Sequence, residues 1–199
     1  MELLTGFGLA AAAGLNAYIP LLALGLLARF TDLVTLPAGW AWLENGWVIA
    51  IVAALLTVEV VADKIPALDS VNDTVQTFVR PTAGGIVFGS GTAAQTAAVT
   101  DPGAFAQSGG WIPVVAGVVV ALLVSLTKSG VRPAANVATA GTAAPVLSTL
   151  EDVLSVVLVV VAILVPILVV AAVVVLAWAA ARVLRRRRAA LAPPTATGR

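Results

Sequence analysis

Cysteine and histidine are both absent from the 199 residues, which removes disulfides, thiol chemistry, haem ligation through imidazole or thiolate, and the common zinc constellations. Any metal site would have to use oxygen ligands. Charge is scarce too: 11% of the residues are Asp, Glu, Lys or Arg and 60% are apolar, whereas a soluble domain carries roughly a quarter charged. With a mean hydropathy of +1.06, a water-soluble globule is excluded and an integral membrane protein is expected. The chain shows no nucleophile–base pair and no phosphate-cradling glycine loop, so it reads as a non-enzyme without catalytic residues, metal or cofactor. Gly84-Gly85 and Gly89-x-Gly91 read as close helix packing.

What charge there is falls in clusters. Arg182 and Arg185 to Arg188 supply five of the eleven cations, and the remainder of the chain is acidic although the net charge is +1. Next to a long apolar run such a basic group is a topology anchor with some attraction to acidic lipid headgroups, and no nucleic-acid partner is expected. Residues 189–199, with Pro193 and Pro194, read as a disordered cytoplasmic tail behind a single helical membrane domain over 1–188.

A membrane helix needs about 20 apolar residues to cross roughly 30 Å of hydrocarbon. Four runs meet this pattern: Gly6–Ala28, Trp47–Ala62, Trp111–Thr127 and Val153–Ala181. Glu2 stands where a secretory signal would carry cations, so the first run is expected to be retained. Pro81–Thr100 and Pro133–Leu150 are uncharged but built mainly of small residues, which suit a position enclosed by other helices; each is either a span or a re-entrant loop. Counting both gives an all-α protein of six spans. The positive-inside rule then places Lys64, Arg80, Lys128, Arg132, the arginine cluster and both termini in the cytoplasm. Trp40, Trp42, Trp47, Trp111 and Trp178 lie at span boundaries, as in an aromatic belt.

A hairpin repeat is faintly visible in two registers. One aligns Ala54-Leu55-Leu56 and Pro66 with Ala121-Leu122-Leu123 and Pro133; the other aligns Val79-Arg80-Pro81 with Val131-Arg132-Pro133. The two are incompatible without an insertion.

Ionisable residues at membrane depth cost about 2.5–3.5 kcal/mol each on insertion scales and tend to face a cavity or a partner. Glu59 and Asp63 are four apart, hence on one helix face, with Lys64 next. Over 67–80, Asp69, Asp73, Gln76 and Arg80 alternate with Leu68, Val71, Val75 and Phe78, giving a short amphipathic helix bounded by Pro66 and Pro81. Its polar side faces either water or the bundle. Lys128 and Arg132 are again four apart and suited to one anionic group. Glu151 and Asp152 open the last run, with Ser148 placed as in a capping box. Asn16, Tyr18 and Pro20 interrupt the first run, where a kink or a helix break is expected because Pro20 cannot donate a hydrogen bond to Asn16.

Gly14-Leu15-Asn16-Ala17-Tyr18-Ile19-Pro20-Leu21, Glu59-x-x-x-Asp63-Lys64-Ile65-Pro66-x-x-Asp69, Arg80-Pro81-x-x-Gly84 and a segment from Gly141 to Glu151-Asp152 occur in that order. This pattern resembles an uncharacterised bacterial family of small multi-pass membrane proteins, a domain of unknown function. Here Gly141–Pro145 lacks the Asn expected before the proline. The resemblance implies a bacterial inner-membrane location and no catalytic role. A small transporter or lipid-translocating protein is the expectation, with Asn16, Glu59, Asp63, Lys64, Asp69, Asp73, Arg80, Lys128, Arg132, Glu151 and Asp152 as its ion or substrate pathway and membrane lipids, or an anionic small molecule or headgroup, as its partners. The alternative is a non-transporting scaffold in which the same charges fix helix register.

Overall fold

The computed structural model describes residues 2–91, 110–139 and 143–164, together with 175, 178 and 182; within the helices, the side chains of 2, 66–67, 69–71, 133–138 and 143 lie outside the description. All regular structure among the described residues is helical: α1 (Glu2–Leu15), α2 (Tyr18–Phe30), a 3₁₀ helix (Ala38–Glu44), α3 (Gly46–Ala62), α4 (Pro66–Gly91), α5 (Trp111–Ala138) and α6 (Ala143–Leu164). Two stretches, Trp111–Arg132 and Ala144–Leu164, are long and apolar enough to cross a membrane, and a third if the 3₁₀ helix and α3, bent by 63°, form one broken span. The six crossings expected from sequence exceed this count.

The first apolar run does not make one crossing. Helix α1 ends at Leu15 and α2 begins at Tyr18, and α2 turns back along α1. Along α6, Ala12 and Asn16 sit at Ser155 and Asp152, yet Ile19 to Leu27 of α2 line a groove with Val156 to Leu164, alongside the earlier turns of α1. Gly25 likewise meets Leu43 and Ile49 near the start of α3, and Arg29 donates to the Glu44 carbonyl at 2.7 Å. The two helices form a hairpin with Asn16-Ala17 at its tip. Pro20 lies in the first turn of α2, where no intrahelical partner awaits its missing N–H. The interruption therefore becomes a clean break one turn earlier and not a kink at Pro20.

Each arm of this hairpin is short, 14 and 13 residues, or about 20 Å at 1.5 Å per residue. Such arms are stable at membrane depth when other helices enclose them. Helix α1 is enclosed: Leu9 to Ala13 are fully buried among α4, α5 and α6. Small residues permit the approach. A Cβ on Gly14 would lie 2.6 Å from that of Val124, and one on Gly84 would strike Ala121 and the Gly117 carbonyl. Gly89 receives the Trp40 ring and Gly91 receives Leu9, so the glycine pairs do serve close packing. The small residues from Ala83 to Ser90 are mostly buried, as expected of a segment surrounded by protein. Residues 92–100 lie outside the description.

Three boundaries differ from expectation. Helix α4 continues through Pro81, so 67–80 is not a separate connector; the proline is tolerated because packing on α1 and α5 holds the helix on both sides of it. Helix α5 likewise continues through Pro133 to Ala138, so Pro133–Leu150 is no single span and divides between α5 and α6. Helix α6 starts at Ala143, which places Ser148, Glu151 and Asp152 within the helix and overturns the capping-box reading. Of the two repeat registers, Arg80-Pro81 and Arg132-Pro133 occupy like positions, each an Arg-Pro pair inside a continuous helix, whereas Pro66 opens one helix and Pro133 lies within another.

The outer faces are apolar. Trp47, Ile51, Val58 and Val61 of α3, Leu123 and Leu126 of α5, and Val153 and Val157 of α6 are exposed. Helix α4 repeats the pattern inverted from a soluble helix: Leu68, Val75 and Phe78 are exposed while Gln76 and Arg80 are buried. Its polar side is the inner side, which an apolar surround explains. Trp47 and Trp111 open α3 and α5 with exposed rings, whereas Trp40 packs inward on Gly89. Pro166 and the tail from 189 lie outside the description.

Candidate functional site

The end of α3, the first turns of α4, the later turns of α5 and the start of α6 converge on the hairpin tip, and each brings charge. Glu59 and Asp63 come from α3 and the residue after it, Asp73, Gln76 and Arg80 from α4, Lys128 and Arg132 from α5, Ser148, Glu151 and Asp152 from α6. Spacings of three or four residues put each set on one face. Glu59, Asp63, Gln76, Arg80 and Arg132 are at most 2% exposed; the side chains of Asp73 and Glu151, at 21% and 14%, form the more open edge.

Arg132 is the hub. Its Nη2 lies 2.5 Å from Glu151 Oε2 and 3.3 Å from Asp63 Oδ2, its Nη1 lies 3.5 Å from Asp73 Oδ2, and its Nε donates to Glu151 Oε1 at 3.3 Å. One planar guanidinium thus joins three carboxylates from three parts of the chain, using the fork geometry that lysine lacks. Asp63 also accepts from Asn72 and, at 3.2 Å, from the Ser148 hydroxyl. Burial raises the Asp63 carboxyl, but Lys128, the Asn72 hydrogen bond, Arg132 and Arg80 outweigh it and hold the group below the ordinary carboxylate range.

The hairpin tip is tied into the same cluster. Lys128 Nζ donates to the Leu15 carbonyl at 3.0 Å and pairs with Glu151 at 2.9 Å, putting a cation on the C-terminal end of α1. Asn16 Oδ1 accepts from the backbone N–H groups of Tyr18 and Ile19 at 3.0 and 3.2 Å, satisfying the open start of α2. Its Nδ2 donates to Asp152 Oδ1 at 2.9 Å. The Ser155 hydroxyl donates to the Ala12 carbonyl at 3.1 Å. Both ends of the broken helix are thus capped by side chains, the C-terminal end of α1 by Lys128 and the start of α2 by Asn16.

Not every polar atom is satisfied. Arg80 lies 3.4 Å from Asp73 Oδ1 and 3.6 Å from Glu59 Oε1, the second too long for a hydrogen bond. Both Glu59 oxygens, Gln76 Oε1 and Arg80 Nε are buried without a hydrogen-bond partner.

Nine of the eleven residues expected in the pathway meet here. Lys64 does not: it is exposed in the turn after α3, and its ammonium donates to the Val60 carbonyl of that helix at 3.3 Å. The Asp69 side chain lies outside the description. Gln76, Asn72, Ser148 and Ser155 belong to the site without having been singled out for it. Gln76 and Arg80 are four apart, a spacing already present in the sequence, but Ser155 sits in an apolar run where only its partner on α1 reveals it. Beside the tip, an apolar groove of about 460 Å³ runs between α2, α3 and α6, lined by residues such as Ile19, Leu22, Leu56, Val156 and Ile163. Among the described residues no group of three or more carboxylates is arranged to hold a metal ion.

No curated protein and no solved structure matches the chain. One family model does, over residues 3–186, and so nearly the whole chain, from the hairpin through the charged cluster to the arginine run, belongs to the family described as a domain of unknown function, DUF4126.

Proposed function

We propose that this helical membrane protein is a small transporter or lipid-translocating protein whose substrate or ion pathway passes the charged cluster at the hairpin tip. The observation that carries the reading is the break at Asn16: a helical hairpin ends against Lys128 and Asp152, beside the buried charges around Arg132, and ionisable groups so placed are the kind that line transport pathways. Arg132 and Lys128 would hold an anionic group, a small molecule or a headgroup, entering past Asp73 and Glu151. A carboxylate would exchange a proton or cation. In this reading the cluster faces the cytoplasm of a bacterial inner membrane, as the positive-inside rule asks of Lys64, Lys128 and Arg132. Helix α4 joins the crossings, since its outward face is apolar, and the start of α1 faces the opposite side. The finer expectation of six full spans then becomes four crossings and a hairpin entering from the far side. The chemistry needs no catalytic nucleophile, cofactor or nucleic acid.

A scaffold whose charges only fix helix register would account for the pairs around Arg132, but gives no role to Glu59, whose buried oxygens accept no hydrogen bond. The test uses proteoliposomes of phosphatidylethanolamine and phosphatidylglycerol, following labelled phosphate, labelled dicarboxylates and the transbilayer movement of fluorescent phosphatidylglycerol. One of these is expected to move faster than in empty liposomes and to slow at least tenfold in Asp63→Asn and Arg132→Gln. Flux equal to that of empty liposomes for all of them would overturn the proposal.

A further inference from the structure

Glu59 has no part in the pairs that centre on Arg132. It is 2% exposed and neither of its oxygens accepts a hydrogen bond. A carboxylate so placed carries a desolvation cost of several kcal/mol that a cation 3.6 Å away, without hydrogen bonds, does not cancel. The groups that act on Glu59 come from every side: Arg80 of α4, Lys128 of α5, Asp152 of α6 and Asp63 at the end of its own helix, with Tyr18 of α2 nearby. Around it the described cluster holds five carboxylates, Glu59, Asp63, Asp73, Glu151 and Asp152, against three cations, Arg80, Lys128 and Arg132. With all eight ionised, two negative charges would stand uncompensated at membrane depth.

We infer that Glu59 binds a proton, and that its release draws Arg80 away from Asp73 and so loosens Arg132 at the exposed edge of the site. This rests on the pathway proposed above and names its coupling ion. A metal cation suits the place poorly, because Arg80 and Lys128 repel it and the unpartnered oxygens of Glu59 and Gln76 are fewer than the six or more that hard cations collect. A proton needs one oxygen, and converts an acceptor-only group into a donor. The route outward is contiguous. Arg80 stands between Glu59 at 3.6 Å and Asp73 at 3.4 Å, and the other oxygen of Asp73 lies 3.5 Å from Arg132. With Glu59 neutral, Arg80 stays with Asp73; with Glu59 ionised, two carboxylates compete for one guanidinium. Asp73 then loses part of its hold on Arg80 and pulls on Arg132, whose partners also include Asp63 and Glu151.

Infrared difference spectroscopy of the full chain in liposomes, recorded as the pH is raised, tests this without requiring transport. The carbonyl stretch of a protonated carboxylic acid should be present at neutral pH, disappear as the pH rises, and be missing in Glu59→Gln. Asp73→Asn, which removes the competitor for Arg80, should keep the band but lose it about one to three pH units lower, the size of effect an opposite charge exerts at close range. Absence of the band in the wild type, its persistence in Glu59→Gln, or an unmoved titration in Asp73→Asn would each overturn the inference, whatever the flux. A band behaving as described in a protein that moves none of the probes would leave the proton site standing and remove the transport reading instead.

Discussion

Replacing Arg132 by Met should be the most damaging single change in the cluster. The side chain is 3% exposed and touches Glu151, Asp63 and Asp73; methionine fills much of the same volume but leaves three carboxylates facing one another with Lys128 and Arg80 alone to balance them. Removing one member of a buried pair costs about 3–5 kcal/mol because of the charge left behind. An effect of that size lowers the folding equilibrium constant by roughly 10² to 10⁴. The measurement is reversible unfolding in mixed micelles with increasing SDS, followed by circular dichroism, for Arg132→Met, Glu151→Gln and the pair together. If unpaired charge is the cause, the double variant should recover about 1–3 kcal/mol relative to the sum of the singles. The acid side supplies a second reading. Asp63 has its folded-state carboxyl held low, so its ionisation adds stability at pH values above its unfolded value and that stability is lost as the pH falls through the folded one. Arg132 is one source of that shift, and Arg132→Met should therefore show a shallower acid loss than the wild type. A cost below about 1 kcal/mol, the ordinary worth of an exposed pair, would refute the view of Arg132 as the hub.

Two further outcomes are expected. Gly84→Ala should cost about 1–3 kcal/mol, because the new methyl meets Ala121 and the Gly117 carbonyl, whereas Gly130→Ala, with nothing within 4 Å, should be neutral or gain up to about 1 kcal/mol in the same unfolding assay. Asn16→Ala removes three hydrogen bonds from the hairpin tip and should cost about 1–2 kcal/mol, with faster amide hydrogen exchange at Tyr18 and Ile19; unchanged exchange there would mean that Asn16 does not cap α2.

Much of the site was legible in spacing. Glu59 and Asp63, Lys128 and Arg132, and the Asp73–Gln76–Arg80 series all sit three, four or seven residues apart, and the helices turn each set to one face as that periodicity requires. The cost of charge at membrane depth marks those residues as facing a cavity or a partner, without saying which. The fold was harder to read where proline stands inside a helix. Pro81 and Pro133 look like ends by local rules, but their helices continue; around Pro81 the helix packs on α1 and α5, an effect of tertiary contact that no local window contains. The direction of α2 escaped for the same reason. Nothing in Asn16-Ala17 alone says that the chain reverses; the reversal shows only in what Gly25, Arg29 and Ile19 touch. Lys64 was expected in the site by adjacency to Asp63, but it lies in the turn after α3 and its side chain reaches back to the Val60 carbonyl.

The hairpin also has a consequence for biosynthesis. Groups that enclose its arms, Lys128 on the Leu15 carbonyl, Asp152 on Asn16 and Ser155 on Ala12, are made more than a hundred residues after them. Until α5 and α6 arrive, these two apolar helices of about 20 Å lack the partners of the Leu15 carbonyl and of the Asn16 amide. Helices synthesised later thus decide whether the hairpin is admitted, and a chain stopped before α6 should present α1 and α2 to proteases that the full chain withstands.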